Sequence, residues 1–508
     1  PDRWVPRLSE VCLAVPNVIP PPPCHSRESG NLPSTRRHLS CRKTTAAMVG
    51  QASRLPSILR VSPSPREPTP CYDPPMPHSR KRSPWNKGCL TALAAIPVLL
   101  VITAITLTLW QRTQTNALKK RFHAQGLPTS LQELDNWYEH VPDDENAALG
   151  FIAAIDLLYF PRISDKVDLP LPGIDKTWLG EPQSLEGDAL RYAEQFLTLN
   201  RASLNQAQLA SILERSRYPM DLTLGPFRVK TDHLRMLREL ALTVLTGARV
   251  QAQSGNIDTA VESLRAAFAC GRSLQNEPLV ISQVVRTDIE EHSARAASAI
   301  VSGHVLTQQQ LNDLATDVDK SLHDDANHRF RKGLVPEIVQ VAFERWYSDG
   351  DHDWWLRLNE RNYARYMSQV WDATELQPRE AVQRLASIED SRETAFLRDL
   401  YLVADASFPP VRRMYMALNN GIVNLELMKI VLALESFRLK NGGLPDSLSE
   451  LEPIGTHWNL IDPYSLEPYK YVVEGQGYVV YSIGPDGEDN DGAPLEKQKG
   501  DIPLRVTR

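Results

Sequence analysis

The residue types best suited to chemistry lie near the C-terminus, where Asp486, Glu488, Asp489 and Asp491 cluster around Gly487 and Gly492. Hard carboxylate oxygens on a flexible turn suit calcium, while the same composition also describes a solvated acidic loop. Two other stretches carry ligand-type residues. In His323-Asp-Asp-Ala-Asn-His328 the histidines are five apart, which sets them about 140° apart around a helix and denies them a shared ion. Asp349-Gly-Asp-His-Asp353 reads most simply as a solvated turn. The chain contains no H-E-x-x-H, G-x-S-x-G, P-loop, G-x-G-x-x-G or C-x-x-C pattern, so motifs give enzymatic chemistry no positive support. Cys270 sits in the helical pattern Leu264-Arg-Ala-Ala-Phe-Ala-Cys270, where a small buried hydrophobe is the expected role.

The elements that must carry these residues differ sharply along the chain. Residues 1–87 hold 14 Lys/Arg against 5 Asp/Glu and 17 of the 38 prolines, whereas residues 88–508 hold 42 Lys/Arg against 57 Asp/Glu. A segment so poor in apolar residues cannot offset its ordering entropy and is expected to be disordered. Its stretch from Val18 through Asn31 resembles the translation of a dispersed bacterial intergenic repeat, and Met76-Pro-His-Ser-Arg-Lys-Arg82 reads as a basic leader. Residues 1–75 are therefore read as an over-extended gene start, with a basic cytoplasmic tail as the alternative. Nothing aromatic or periodic supports a nucleic-acid-binding arm, and no nucleic-acid partner is expected.

Residues 89–110, CLTALAAIPVLLVITAITLTLW, run without a charge, and about 20 residues suffice to cross the hydrocarbon core as a helix. The expectation is an uncleaved single-pass anchor at 88–111 in a bacterial inner membrane. Basic residues flank it on both sides, Arg80, Lys81, Arg82 and Lys87 before and Arg112, Lys119, Lys120 and Arg121 after. A short basic leader before a first helix favours a cytoplasmic N-terminus and a periplasmic or otherwise extracytoplasmic body.

Behind the anchor, residues 112–405 read as a helical domain. Gly126-Leu-Pro-Thr-Ser-Leu-Gln-Glu-Leu134 breaks the stalk and offers Ser130 and Glu133 as a capping box, and Gly443-Leu-Pro-Asp-Ser-Leu-Ser-Glu-Leu451 nearly repeats it. Residues 136–160 continue helically, and the pattern resumes from Leu185 to Arg217 after a Pro-rich link at 161–182. The hairpin 234–274 places Gly255, Ala260, Leu264 and Ala267 much as a tetratricopeptide repeat places its turn glycine and small packing residues, but no second 34-residue copy follows. Residues 307–400 are expected to be helical as well, with Thr307 and Gln310 at the ends of a capping box. The aromatic group from Trp346 to Trp371 reads as core.

The last hundred residues change character. Residues 414–440 form one long helix ending at Asn441-Gly442-Gly443, followed by strand signals at 468–473 and 478–483 joined through Glu474-Gly-Gln-Gly477. These phrases, with Asp462-Pro463-Tyr464, Pro468-Tyr469-Lys-Tyr471, Tyr481-Ser-Ile-Gly-Pro-Asp-Gly487 and Asp501-Ile502, make residues 406–508 resemble the major G-type pseudopilin of type II secretion. The resemblance covers about 90 residues. It implies a structural calcium held by the carbonyl of Ile483 and the side chains of Asp486 and Asp501. The stretch between Asp486 and Asp501 is longer than in that family, so Asp489 or Asp491 could take the place of Asp501. The apolar N-terminal pilin helix and its cleavage motif are missing, so the module is expected to be a reused fold that does not polymerise.

The expected fold is mainly α, comprising one transmembrane helix, a helical bundle body and a small C-terminal α+β pseudopilin-like module. The expected role is a non-enzymatic envelope scaffold that binds another envelope protein, with calcium as its one cofactor. An envelope hydrolase without a visible motif and a solute-binding body with an aromatic pocket are the alternatives.

Overall fold

The first described element, α1 (Trp85–Ala124), is a helix of 40 residues in a computed structural model that describes residues 85–159, 177–344, 354–393, 410–494 and 499–508. The chain divides into two units, 1–100 and 101–508, and α1 passes through the division. Residues 1–84 and the aromatic residues Trp346 and Tyr347 lie outside the described residues, as does the expected 405/406 boundary.

Within the second unit the residues of α1 change environment along its length. Val101, Ile102, Ile105, Leu109 and Trp110 are exposed, whereas Leu118 and Phe122 are buried in the main core. The Phe122 ring meets Trp371 at 5.0 Å and Phe343 at 5.3 Å, and Arg121 pairs with Asp372 and Glu375, both at 2.5 Å. Gly126, in the left-handed region at φ +69°, ends the helix. Glycine reaches that region without a Cβ penalty.

The body is mainly helical. The expected continuous helix over 136–160 is instead divided: α2 (Leu131–Trp137) stops before Val141-Pro142, and α3 (Ala147–Asp156) restarts at an Asn146 cap. Pro142 has no N–H to give a helix interior, which accounts for the break. There follow α4 (Gly187–Leu199), α5 (Arg201–Ala210), α6 (Asp232–Gln253), α7 (Ile257–Arg272) and α8 (Val280–Gly303). The hairpin α6–α7 turns at Gly255, φ +81°. Next come α9 (Gln308–Ser321), α10 (Ala326–Ile338), α11 (Trp354–Ala373) and α12 (Pro378–Glu393). The Thr307–Gln310 capping box is present on α9. Tyr363, Tyr366 and Trp371 are core residues, as expected from the preference of aromatics for burial.

Helix α13 (Val411–Asn441) is the central helix of the body, packing against α8, α9, α10 and α12 and against strands β2 and β3 of the sheet. Gly442, at φ +76°, caps it in the left-handed conformation and donates its N–H to the Arg438 carbonyl at 2.8 Å. The sheet is antiparallel, in the order β1 (Lys470–Glu474), β2 (Gly477–Ser482), β3 (Ile502–Val506). The expected hairpin is therefore the first part of a three-stranded sheet. Its third strand contains Pro503, and proline ordinarily argues against a strand inside a sheet. β3 tolerates it because its other side meets α8, where Ser298 Oγ donates to the Arg505 carbonyl at 3.3 Å, rather than another strand.

Among the described residues, the helix that is long and apolar enough to cross a membrane is α13, and 89% of its apolar window is buried inside the body. Its charges are paired there. Lys429 Nζ lies 2.5 Å from Asp319, Glu426 accepts from Asn459 at 2.9 Å and from the Tyr469 hydroxyl, and Glu435 meets Tyr478 at 3.0 Å and Arg508 at 2.6 Å. These contacts define it as the core helix of the body.

Candidate functional site

The C-terminal acidic loop leads from β2 to β3, and its carboxylates are engaged with the loop itself. Asp501 is fully buried and accepts N–H groups from Gly492 at 2.7 Å and Asn490 at 3.1 Å. Asp486 accepts from Gly500 at 2.8 Å and Glu488 at 3.2 Å. Asp489 accepts from the Tyr481 hydroxyl at 3.0 Å and from the Asp491 N–H at 3.1 Å, and lies 3.8 Å from Lys470. Asp491 takes a left-handed backbone, φ +55°, which aspartate tolerates better than most residues. Ile483 is fixed by the buried Asp462, which accepts its N–H at 3.1 Å together with Ser482 Oγ at 2.8 Å and the Tyr464 N–H at 2.9 Å.

Burial, followed by the neighbouring charges of Asp489 and Asp486, pushes the Asp501 carboxyl above the ordinary carboxylate value, against the opposing pull of its two N–H donors. The loop therefore collects oxygen donors and negative charge, which is the right chemistry for a hard cation. Among the described residues, no three His, Cys, Asp or Glu side chains are grouped to hold one. Residues 495–498 of the same loop lie outside the described residues.

The other ligand-type stretches separate. His323 is exposed while Asp324 is buried beside Arg286 at 3.0 Å, and His328 stands 3.6 Å from Asp324. Residues 349–353 lie outside the described residues. Cys270 is buried, and burial lifts its thiol to about 12, so it is inert as a nucleophile.

Two features are not evident from motifs. One is a fully buried ionic network: Arg286 reaches Glu290 at 3.1 Å and Asp324 at 3.0 Å, and Arg329 reaches Glu290 at 2.6 Å and Thr287 Oγ1 at 2.8 Å. Every member is satisfied by protein groups, so it braces α8 against α10 rather than facing a substrate. Its trace in the sequence is a polar stripe through apolar α8, Gln283, Arg286, Thr287, Glu290 and Ser293, at the spacing of one helix face.

The other is a groove of about 520 Å³ between α4–α5 and α6–α7. Val244, Gly247, Val250 and Ala266 contribute its apolar lining, and Asn205, Gln208, Gln251 and Asn256 bring side-chain amides to it. A neighbouring part of α6 shows what such amides do. Gln253 clasps the backbone of Leu185 from both sides, accepting its N–H at 2.9 Å and donating to its carbonyl at 2.7 Å. One turn earlier, Arg249 donates to the carbonyls of Leu179, Glu181 and Gln183 at 3.1, 2.7 and 3.0 Å. The helix thus already holds residues 179–185 of its own chain by their backbone groups.

No protein family matches the sequence, and the comparison with curated proteins and with solved structures likewise yields no match.

Proposed function

We propose that this chain is a single-pass protein of a bacterial inner membrane, anchored by residues 89–110 with its N-terminal side cytoplasmic and its body periplasmic, and that the body is a non-enzymatic module that holds an extended segment of another envelope protein. The observation that carries the reading is the run of exposed side chains Val101, Ile102, Ile105, Leu109 and Trp110 on a helix whose later residues, Leu118 and Phe122, are buried. Each large apolar side chain left in water forgoes about 1.5–3 kcal/mol of burial, which a bilayer supplies. Within this stretch the Thr106 hydroxyl donates to the Ile102 carbonyl at 2.8 Å, and just beyond it Thr113 donates to that of Trp110 at 2.5 Å. That arrangement suits a medium with no water to offer.

The groove supports the binding role, because side-chain amides of the type by which Gln253 holds Leu185 line it, with Asn256 donating to Gln251 at 2.9 Å and Gln208 to Glu262 at 3.1 Å. The C-terminal module is read as a reused pseudopilin-like fold, supported by a long helix leading into an antiparallel sheet. Calcium bound through Ile483, Asp486, Asp489, Asp491 or Asp501 is read as a stabiliser of the final loop, supported by the charge gathered around Asp501.

The binding role is tested by placing a photo-crosslinking residue at Asn205 or Gln251 of the full chain in membranes. A discrete protein adduct at both positions is expected, and it should disappear on Gly247→Leu. A Cβ at Gly247 meets only Leu197 Cδ2, at 3.6 Å, so a side chain can start there toward the groove without its Cβ meeting a backbone. The absence of an adduct, or adducts indifferent to Gly247→Leu, would remove the proposed partner.

A further inference from the structure

We infer that the free edge of the C-terminal sheet pairs with the same edge of a second copy of this chain. Among the described residues, strand β1 is paired on one side only. The hairpin turns through Gly475, φ +63°, and the register runs Glu474↔Gly477, Val473↔Tyr478, Val472↔Val479, Tyr471↔Val480, Lys470↔Tyr481. With a two-residue turn the pair next to the loop is hydrogen-bonded, and bonded and non-bonded pairs then alternate. Lys470, Val472 and Glu474 therefore aim their backbone groups at β2, and Tyr471 and Val473 aim theirs at the open edge.

That edge is short and bounded. At one end the Leu460 carbonyl accepts the Tyr469 N–H at 2.8 Å, and Ile461 bridges Pro468, closing the edge before Lys470. At the other end the strand stops at its turn. Between them Val472 and Val473 are 46% and 48% exposed, and none of the usual edge protections, a proline, a bulge or a central lysine, stands there. A long foreign strand continuing past Lys470 would collide with Leu460. A second copy would not, because its own strand ends at Gly475 after the residue that faces Lys470.

The five residues Lys-Tyr-Val-Val-Glu are self-complementary when reversed. An antiparallel copy centred on Val472 sets Lys470 against the partner's Glu474 at both ends, Tyr471 against the partner's Val473, and Val472 against its own counterpart. The pairs of Tyr471 with Val473 are those whose backbone groups both point outward, so register and hydrogen bonding agree on one twofold arrangement, in which Lys470 and Glu474 also meet across the edge beside their own partners Asp489 and Arg505. Five residues a side bury less than the roughly 1,000 Å² of a stable interface, so the contact is a weak one.

Covalent trapping tests it. In the full chain, with Cys12, Cys24, Cys41, Cys71 and Cys89 replaced by Ser and buried Cys270 retained, Val472→Cys should give a disulfide-linked homodimer under mild oxidation. Directly opposed residues in a non-bonded pair have Cα atoms about 4.5 Å apart, within disulfide reach. Val473→Cys, which faces the partner's Tyr471, should cross-link at least several-fold less. Adding Lys470→Glu to Val472→Cys should lower the dimer yield several-fold by opposing two carboxylates, and Lys470→Glu with Glu474→Lys should restore it. No dimer at 472, equal yields at 472 and 473, indifference to charge reversal, or an adduct to a different protein in its place would each overturn the inference.

Discussion

At the scale of single residues, the strongest constraints are buried charges that serve no visible chemistry. Glu290 holds Arg286 at 3.1 Å and Arg329 at 2.6 Å, and desolvation already lowers the Arg329 guanidinium to about 10. Removing their shared carboxylate leaves Arg329 without a carboxylate and Arg286 with Asp324 alone. Glu290→Ala is therefore expected to destabilise the body by about 3–5 kcal/mol, measured as a loss in urea-unfolding free energy. Glu337 offers a test of the opposite sign. Burial pushes its carboxyl from 4.5 up to about 7, against the Tyr363 hydroxyl that donates to it at 3.1 Å. An acid with a raised folded pKa favours folding while protonated, so its contribution is complete below about pH 4.5 and is lost as the pH rises through 7. Urea melts at pH 5 and pH 8 should show a fall on the order of 1–3 kcal/mol that Glu337→Gln largely abolishes. Residue roles set by local pattern were legible in the sequence: Cys270 as core, Thr307 and Gln310 as a cap. The ionic network was not, because Arg329, Asp324 and Glu290 meet only after two helices pack.

At the scale of elements, local signals located most helices. Long-range packing determined which apolar or strand-like segments became something else. The two Gly-Leu-Pro junctions show both halves of this. Ser130 accepts the Glu133 N–H at 3.2 Å while Glu133 reaches Thr129 N–H at 2.7 Å, and Ser447 and Glu450 form a full capping box. The first copy continues as α2, whereas the second gives a single 3-10 turn, since Pro453 follows it two residues after Leu451. β3 was hidden by Pro503 and by the absence of any local hint that Ile502, Leu504 and Val506 would find β2. Helix crossings give a sharp prediction. A Cβ on Gly333 of α10 would meet the Val280 Cα of α8 at 2.5 Å, and a backbone cannot step aside as a side-chain tip can. Gly333→Ala should cost roughly 1–3 kcal/mol through overpacking, read from the denaturant midpoint at unchanged slope. For the acidic loop, calorimetry on the full chain should show calcium binding with raised thermal stability, lost in Asp486→Ala with Asp491→Ala. Silence at millimolar calcium would leave the carboxylates as acceptors for loop N–H groups alone.

At the scale of the whole molecule, the body has one main core that runs from Leu118 to Val506, so the C-terminal helix is as much a part of the helical body as of the sheet. Two helices, α1 and α13, carry long apolar runs, and apolarity alone does not separate them. Their polar residues do: α13 buries Lys429, Glu426 and Glu435 against partners from α9 and the C-terminal segment, whereas 89–110 contains no charge and keeps Ile102 and Leu109 more than half exposed. Central to the account is the claim that this exposed run lies in a bilayer. Alkaline carbonate extraction of membranes carrying the full chain tests it most directly, with Leu99→Arg plus Ile102→Arg as the matched variant, each arginine costing about 2.5–3.5 kcal/mol at mid-membrane. The account predicts that the native chain stays in the membrane pellet and that the variant is released with unchanged helical circular dichroism. Release of the native chain into the soluble fraction would contradict it.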